Sequence, residues 1–154
     1  MERGKPVAYA LTAIIFAVAT GCDTRQSAKP EVLIADYLRS VHNVRPPQEN
    51  SWWIVLTGSA CSSCNDAVLE RAAILLSTRP DVFVIATTRL CQILERRFPG
   101  RTSDRVLCDG RGEIERLDLS TKGVLLLRAI DNGFVEHREI REEDLATLEQ
   151  VLQR

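Results

Sequence analysis

The sequence predicts an α/β domain with a central mixed sheet flanked by helices, and three observations carry that expectation. From residue 52 to about residue 98, short apolar runs alternate with longer stretches of helical periodicity. Near the carboxyl end, Asp131-Asn132-Gly133 joins two strand-like runs, and an amphipathic stretch closes the chain. Alternation of strand and helix favours parallel neighbours joined by right-handed crossovers, whereas a tight turn forces an antiparallel pair. The sheet is therefore expected to be mixed.

Each element has its own signal. Trp52-Trp53-Ile54-Val55-Leu56 is a short run of aromatic and branched residues, hence a buried strand, broken by Thr57-Gly58-Ser59. A helix is expected from about Cys61 to Thr78, with Cys64, Val68, Ala72, Leu75 and Leu76 on one face, closed by Arg79-Pro80-Asp81. Val82 to Ala86 is wholly apolar, as in a strand covered on both faces. A second helix runs from near Leu90 to Phe98 and stops at Pro99-Gly100. Arg101 to Ser120 is less regular, with a short strand at Val106-Leu107 and a helical turn near Glu113 to Leu117. Val124 to Ala129 is a long strand, and Phe134 to Ile140 returns antiparallel after the turn. There Asn132-Gly133 is expected to supply the positive φ angles. Glu142 to Leu152 forms the last helix, with Leu145, Leu148 and Val151 inward.

The first residues stand apart from this domain. Arg3 and Lys5 precede an uncharged, largely apolar stretch from Pro6 to Gly21, which is short for a bilayer span but has the layout of a secretory signal. It ends in Ala19-Thr20-Gly21-Cys22. That tetrapeptide resembles the lipobox of bacterial lipoproteins, which implies lipidation of Cys22 and cleavage just before it; an uncleaved signal anchor is the alternative. The expected organisation is a lipoprotein signal peptide over 1–21, a tether and short amphipathic helix over 22–47, and the folded domain over 48–154. Within the second segment, Glu31 to His42 places apolar residues at 32, 33, 34, 37, 38 and 41, and Arg45-Pro46-Pro47 is expected to end the helix.

At 154 residues there is room for one domain plus a leader. The formal charge of −1 argues against a nucleic-acid partner, since phosphate binding needs a clear Lys/Arg excess. Removal of Glu2, Arg3 and Lys5 with the leader leaves 18 basic and 20 acidic residues from the 20 and 21 of the whole chain. Five cysteines then remain, four if Cys22 carries lipid, in an export route that leads away from the reducing cytosol.

Cys61-Ser62-Ser63-Cys64 carries the chemistry. A C-x-x-C motif between a strand and a helix is a redox signature. The attacking species in disulfide exchange is a thiolate, and unpaired N–H groups at a helix N-terminus favour that anion. Cys61 is accordingly the expected attacker and Cys64, one turn on, the resolving thiol. A static disulfide is the rival reading. A Cu(I) carrier is a weaker one, and zinc is disfavoured because one C-x-x-C supplies only half a tetrahedral site. No cofactor is called for.

Strand–helix–strand–helix, then hairpin, then helix, with the cysteine pair ahead of the first long helix, resembles the thioredoxin fold over roughly Gln48 to Gln153. It is nearest to the membrane-anchored, TlpA-like thioredoxins, which insert a segment before the hairpin as Arg101 to Ser120 does here. The resemblance implies protein thiol or disulfide substrates, a redox partner, and a location in the cell envelope facing the periplasm or cell exterior. Three positions depart from it. The loop that would hold a cis-proline reads Ser120-Thr121-Lys122-Gly123, with Lys122 at the equivalent place; Val55 stands where a buried acid would assist the resolving cysteine; and Ala60 replaces an aromatic residue. A non-catalytic binding module with a structural Cys61–Cys64 disulfide is the alternative that these departures favour. Cys91 and Cys108 are expected to form a structural disulfide, with a second redox pair relaying electrons to Cys61 and Cys64, or two reduced and buried thiols, as the other readings. His137 is expected on the surface, and Trp52 and Trp53 in the core.

Overall fold

The computed structural model of the chain describes residues 28–47, 49–57, 62–97, 99–100, 104–119, 124–141, 144 and 148–152, without the side chains of residues 62–65, 149 and 151. Helix α1, Pro30–Tyr37, begins with proline at its first position, where a missing N–H costs nothing. It continues into a π-helical turn, Leu38–His42, and stops at Asn43, whose φ is 53°. Asparagine tolerates that left-handed conformation and ends helices in this way. The stop therefore falls ahead of Arg45-Pro46-Pro47, the terminator expected from the sequence.

The remaining elements are strand β1, Ser51–Leu56; helix α2, Ser62–Thr78; β2, Val82–Thr87; helix α3, Thr88–Arg97; β3, Val106–Asp109; a 3-10 turn, Ile114–Arg116; β4, Val124–Ile130; β5, Gly133–Ile140; and helix α4, Leu148–Val151. The five strands form one sheet in the order β3–β2–β1–β4–β5. β1, β2 and β3 run parallel, with Ile54 opposite Val84 and Val84 opposite Val106. β4 is antiparallel to β1, and β5 to β4. The mixed α/β class expected from the sequence is the one observed.

Both faces of the sheet are covered. Trp52, Ile54 and Leu56 point to one face, where Val68, Ala72 and Leu76 of α2, Leu90 and Leu94 of α3, and Leu148 of α4 pack against them. The crossovers β1–α2–β2 and β2–α3–β3 advance the same way across the sheet, so a shared hand places both helices on one side. Trp53 and Val55 point to the other face, against Ile34 and Tyr37 of α1, Leu38 of the π turn and Ile114 of the 3-10 turn. Helix α1 and the turn that follows it thus pack on the second face of the sheet. Only part of their apolar face is used: Val32 is 52% and Val41 37% exposed. The π turn has more residues per turn than the α-helix, which rotates Val41 away from the 3.6-residue stripe.

The hairpin differs from expectation by one residue. Positive φ falls on Asp131 (52°) and Asn132 (65°), while Gly133 opens β5 opposite Ile130. Both central residues of a two-residue loop of this kind take positive φ, and Asp and Asn tolerate it. Further along, the register jumps from Arg128–Glu136 to Ala129–Phe134, so Val135 is an extra residue in β5.

Two arginines close the far end of α2. Arg79 grips the carboxylate of Asp81 with Nε and Nη2, at 3.0 and 2.6 Å, and donates from Nη1 to the Leu152 carbonyl at 2.7 Å. The Arg105 guanidinium donates to the carbonyls of Leu76 and Arg79, at and just past the end of α2 where helix carbonyls lack partners, and to that of Val82 at the start of β2. His137 does lie at the surface but is not alone: its Nδ1 is 2.7 Å from Oε1 of Glu31, joining β5 to α1. Burial opposes ionisation of Glu31, but the contacts led by His137 outweigh it and hold the carboxyl below its ordinary range. Glu31→Gln is expected to lower stability by no more than about 1 kcal/mol, and by less in high salt, read from urea melts at two ionic strengths.

Candidate active site

Because β1, β2 and β3 are parallel, their carboxyl ends share one edge of the sheet. In open α/β sheets that edge is where ligands and chemistry collect, since helix N-termini converge there. Thr57 follows the end of β1 and is buried, as is Thr87 at the end of β2. Helix α3 begins at once with Thr88, whose Oγ1 donates to the Asp109 carbonyl at 2.7 Å.

The C-x-x-C motif occupies the connection between β1 and α2. Ser62, the residue after Cys61, is the first of α2, and Cys64 is the third. Cys61 itself and the Cys64 side chain lie outside the described residues, as do Cys22 and the Thr121 and Lys122 loop. Around this helix start, Asp66 of α2 and Arg97 of α3 form an exposed ion pair at 3.3 Å. Val55 is fully buried, so the strand leading to the motif carries an apolar side chain at that point.

The second cysteine pair lies at the same edge. Cys91, in the first turn of α3, and Cys108 of β3 are joined in a disulfide, with Cα atoms 5.9 Å apart. The two ends differ in environment. Cys91 is 7% exposed and its Sγ is 3.7 Å from the Ala86 carbonyl oxygen, whereas Cys108 is solvent-exposed.

A buried acid that the sequence reading passed over sits next to it. Asp109 is 1% exposed and points to the opposite face from Cys108. Its carboxylate accepts the Ile114 N–H at 2.6 Å and the Arg111 N–H at 3.0 Å. Burial opposes its charge, but backbone N–H groups from Ile114, Arg111, Glu113 and Gly112 outweigh that and hold the carboxyl below the usual range. The signal was present in Asp109-Gly110-Arg111-Gly112, an Asx-turn sequence in which an aspartate folds back on following N–H groups. Nearby, Tyr37 Oη and His42 Nε2 are 2.9 Å apart, the donor being set by the imidazole tautomer. Burial, with Asp109 and Glu113 adding to it, pushes the Tyr37 hydroxyl up; burial also pulls the His42 imidazole down, against the opposing pull of Asp109. Among the described residues no group of three His, Cys, Asp or Glu side chains is placed to hold a metal ion.

The sheet order, the crossover helices on one face and the antiparallel hairpin after the insertion together define the architecture. The domain is thioredoxin-like. No protein-family model matches the sequence, and no curated protein matches it. Two solved structures are similar to this thioredoxin-like domain. One is a secreted disulfide oxidoreductase of Mycobacterium tuberculosis homologous to E. coli DsbE, with 14% identity over 67% of this chain and 84% of that chain and a TM-score of 0.44. The other is a putative thiol:disulfide interchange protein DsbE from Chlorobium tepidum, with 17% identity over 69% of this chain and 79% of that chain and a TM-score of 0.41.

Proposed function

We propose that this chain is an extracytoplasmic thiol–disulfide oxidoreductase, held at a membrane surface by lipid on Cys22 and acting on protein cysteines through Cys61 and Cys64. The observation that carries the reading is the position of C-x-x-C in a thioredoxin-like sheet: it leads from β1 into the first turn of α2. A thiol there is favoured as its anion by unpaired backbone N–H groups and the helix dipole. The 17-residue length of α2 makes that dipole fully developed.

In the reductive direction, the Cys61 thiolate attacks one sulfur of a substrate disulfide and expels the other as a thiolate. Cys64, deprotonated, then attacks Cys61 Sγ, releasing the second substrate thiolate and leaving Cys61–Cys64 oxidised. Two electrons from a partner dithiol restore the pair. The lipid anchor rests on Ala19-Thr20-Gly21-Cys22 after an apolar stretch, and each buried methylene of an acyl chain adds about 0.8 kcal/mol of membrane affinity.

The test is capture of the mixed disulfide. A full chain with Cys64→Ala is expected to accumulate covalent adducts on Cys61 that disappear under reductant and are lost when Cys61→Ser is added. If no adduct forms, and Cys61–Cys64 in the unmodified chain stays oxidised in reduced glutathione, the non-catalytic module with a structural disulfide takes its place. The absence of any proline after Pro99 favours that second reading, because the loop before β4 then lacks the residue that shapes the substrate-docking edge in thioredoxin-like enzymes.

A further inference from the structure

We infer that Cys91–Cys108 is a second, independent thiol–disulfide exchange site, opened by a thiolate from outside the chain that attacks Cys108 and expels Cys91. The inference stands apart from the role of Cys61 and Cys64, and rests on three features of the described residues.

The first is the contrast between the two sulfurs. Disulfide exchange requires the attacked sulfur to be reachable and the departing sulfur to be stabilised as an anion. Cys108 is exposed on β3, whereas Cys91 is 7% exposed. The second is the position of Cys91, fourth residue of the ten-residue α3, where the unpaired amides and dipole oppose the cost that burial puts on a departing thiolate. Once that thiolate has taken a proton from water, the Ala86 carbonyl oxygen, 3.7 Å from Sγ, is an acceptor for the S–H.

The third is that β3 does not depend on the disulfide for its place. Arg105, just ahead of the strand, donates to the carbonyls of Leu76, Arg79 and Val82, and its own carbonyl accepts the Val84 N–H at 2.8 Å. At the other end, Thr88 Oγ1 donates to the Asp109 carbonyl, and the Asp109 carboxylate holds the turn that follows. Non-covalent ties thus secure both ends of the strand, so the bond can open while the sheet persists. A disulfide open to solvent at one end can be attacked there, whereas one buried at both ends resists.

The step balances as follows. An external thiolate bonds to Cys108 Sγ, the Cys91–Cys108 bond breaks, and Cys91 leaves with the electron pair. A second external thiolate then releases Cys108, giving two protein thiols and one external disulfide.

The test uses the full chain with Cys61→Ser and Cys64→Ser, so that only this pair is read, and reduced and oxidised glutathione as the probe. After acid quenching and alkylation, the peptides bearing Cys91 and Cys108 are quantified by mass spectrometry, with circular dichroism recorded in parallel. The expected result is opening in the folded protein, with the glutathione adduct on Cys108 at least tenfold in excess of that on Cys91. Adding Cys91→Ser together with Cys22→Ser is expected to make the Cys108 adduct persist, since no internal thiol remains to displace it. A pair that opens only after denaturant unfolds the chain overturns the proposal. So does equal modification of the two cysteines, or opening that occurs only when Cys61 and Cys64 are present.

Discussion

Replacing Trp53 with alanine is expected to lower the unfolding free energy by about 3–5 kcal/mol, the range for removing a large aromatic side chain from a packed core. Trp53 is 1% exposed at the middle of β1. Its ring stacks on Phe83 of β2 at 4.6 Å and meets Phe134 of β5 edge-on at 5.8 Å, so one side chain spans the face from β2 to β5. Its Nε1–H donates to Ser51 Oγ at 3.1 Å, which satisfies the one polar atom it brings inside. Alanine leaves a cavity between α1 and the sheet and strips Phe83 and Phe134 of their partner. Trp53→Phe keeps most of the volume and is expected to recover more than half of the loss. Urea melts followed by circular dichroism measure both; a Trp53→Ala protein within 1 kcal/mol of the parent would contradict this account of the second face.

Asp109→Ala is expected to cost about 2–4 kcal/mol at neutral pH, because it removes two charge-assisted hydrogen bonds and leaves the buried Ile114 N–H and the part-buried Arg111 N–H without this acceptor. The effect depends on pH in a defined sense. The folded-state carboxyl is held below its unfolded value by the backbone donors that overcome burial. Its contribution is therefore complete above the unfolded pKa of about 3.9 and is lost as the pH falls through the lower folded value. The difference in stability between parent and Asp109→Ala should shrink below about pH 4, measured by urea melts at pH 7 and in acid. A difference that stays constant or grows in acid would show that the carboxylate is not the stabilising group.

Most of the fold could be read from local patterns. Val82 to Ala86 is so uniformly apolar that a strand covered on both sides is the natural reading, and Val124 to Ala129, apolar but for Arg128, reads as a strand too; both lie inside the sheet. The packing of the first helix was harder. Nothing in Glu31 to His42 distinguishes a helix that lies on a tether from one that covers a sheet; the difference lies in Trp53, Val55 and Leu127, which are distant in sequence and leave that face needing cover. The hairpin shows a different kind of miss. Asp-Asn and Asn-Gly are both good pairs for positive φ, and the choice falls to the register of β4 on β5, set by packing on either side. Cysteine spacing identified the candidate pair through its place between strand and helix. The contrast between Cys91 and Cys108, by comparison, depends on which residue of β3 faces solvent, and a four-residue strand carries too little alternation to reveal that.

The two rims of the sheet bear on how the protein behaves when crowded. An open strand edge invites another chain to add to it, and long flat edges are the dangerous ones. Here β3 offers only four residues, and the extra residue at Val135 twists β5 where it would otherwise run straight. Glu136, Arg138 and Glu139 then line that rim with charge. A neighbouring molecule therefore finds no straight, uncharged template for intermolecular β-pairing along these two strands.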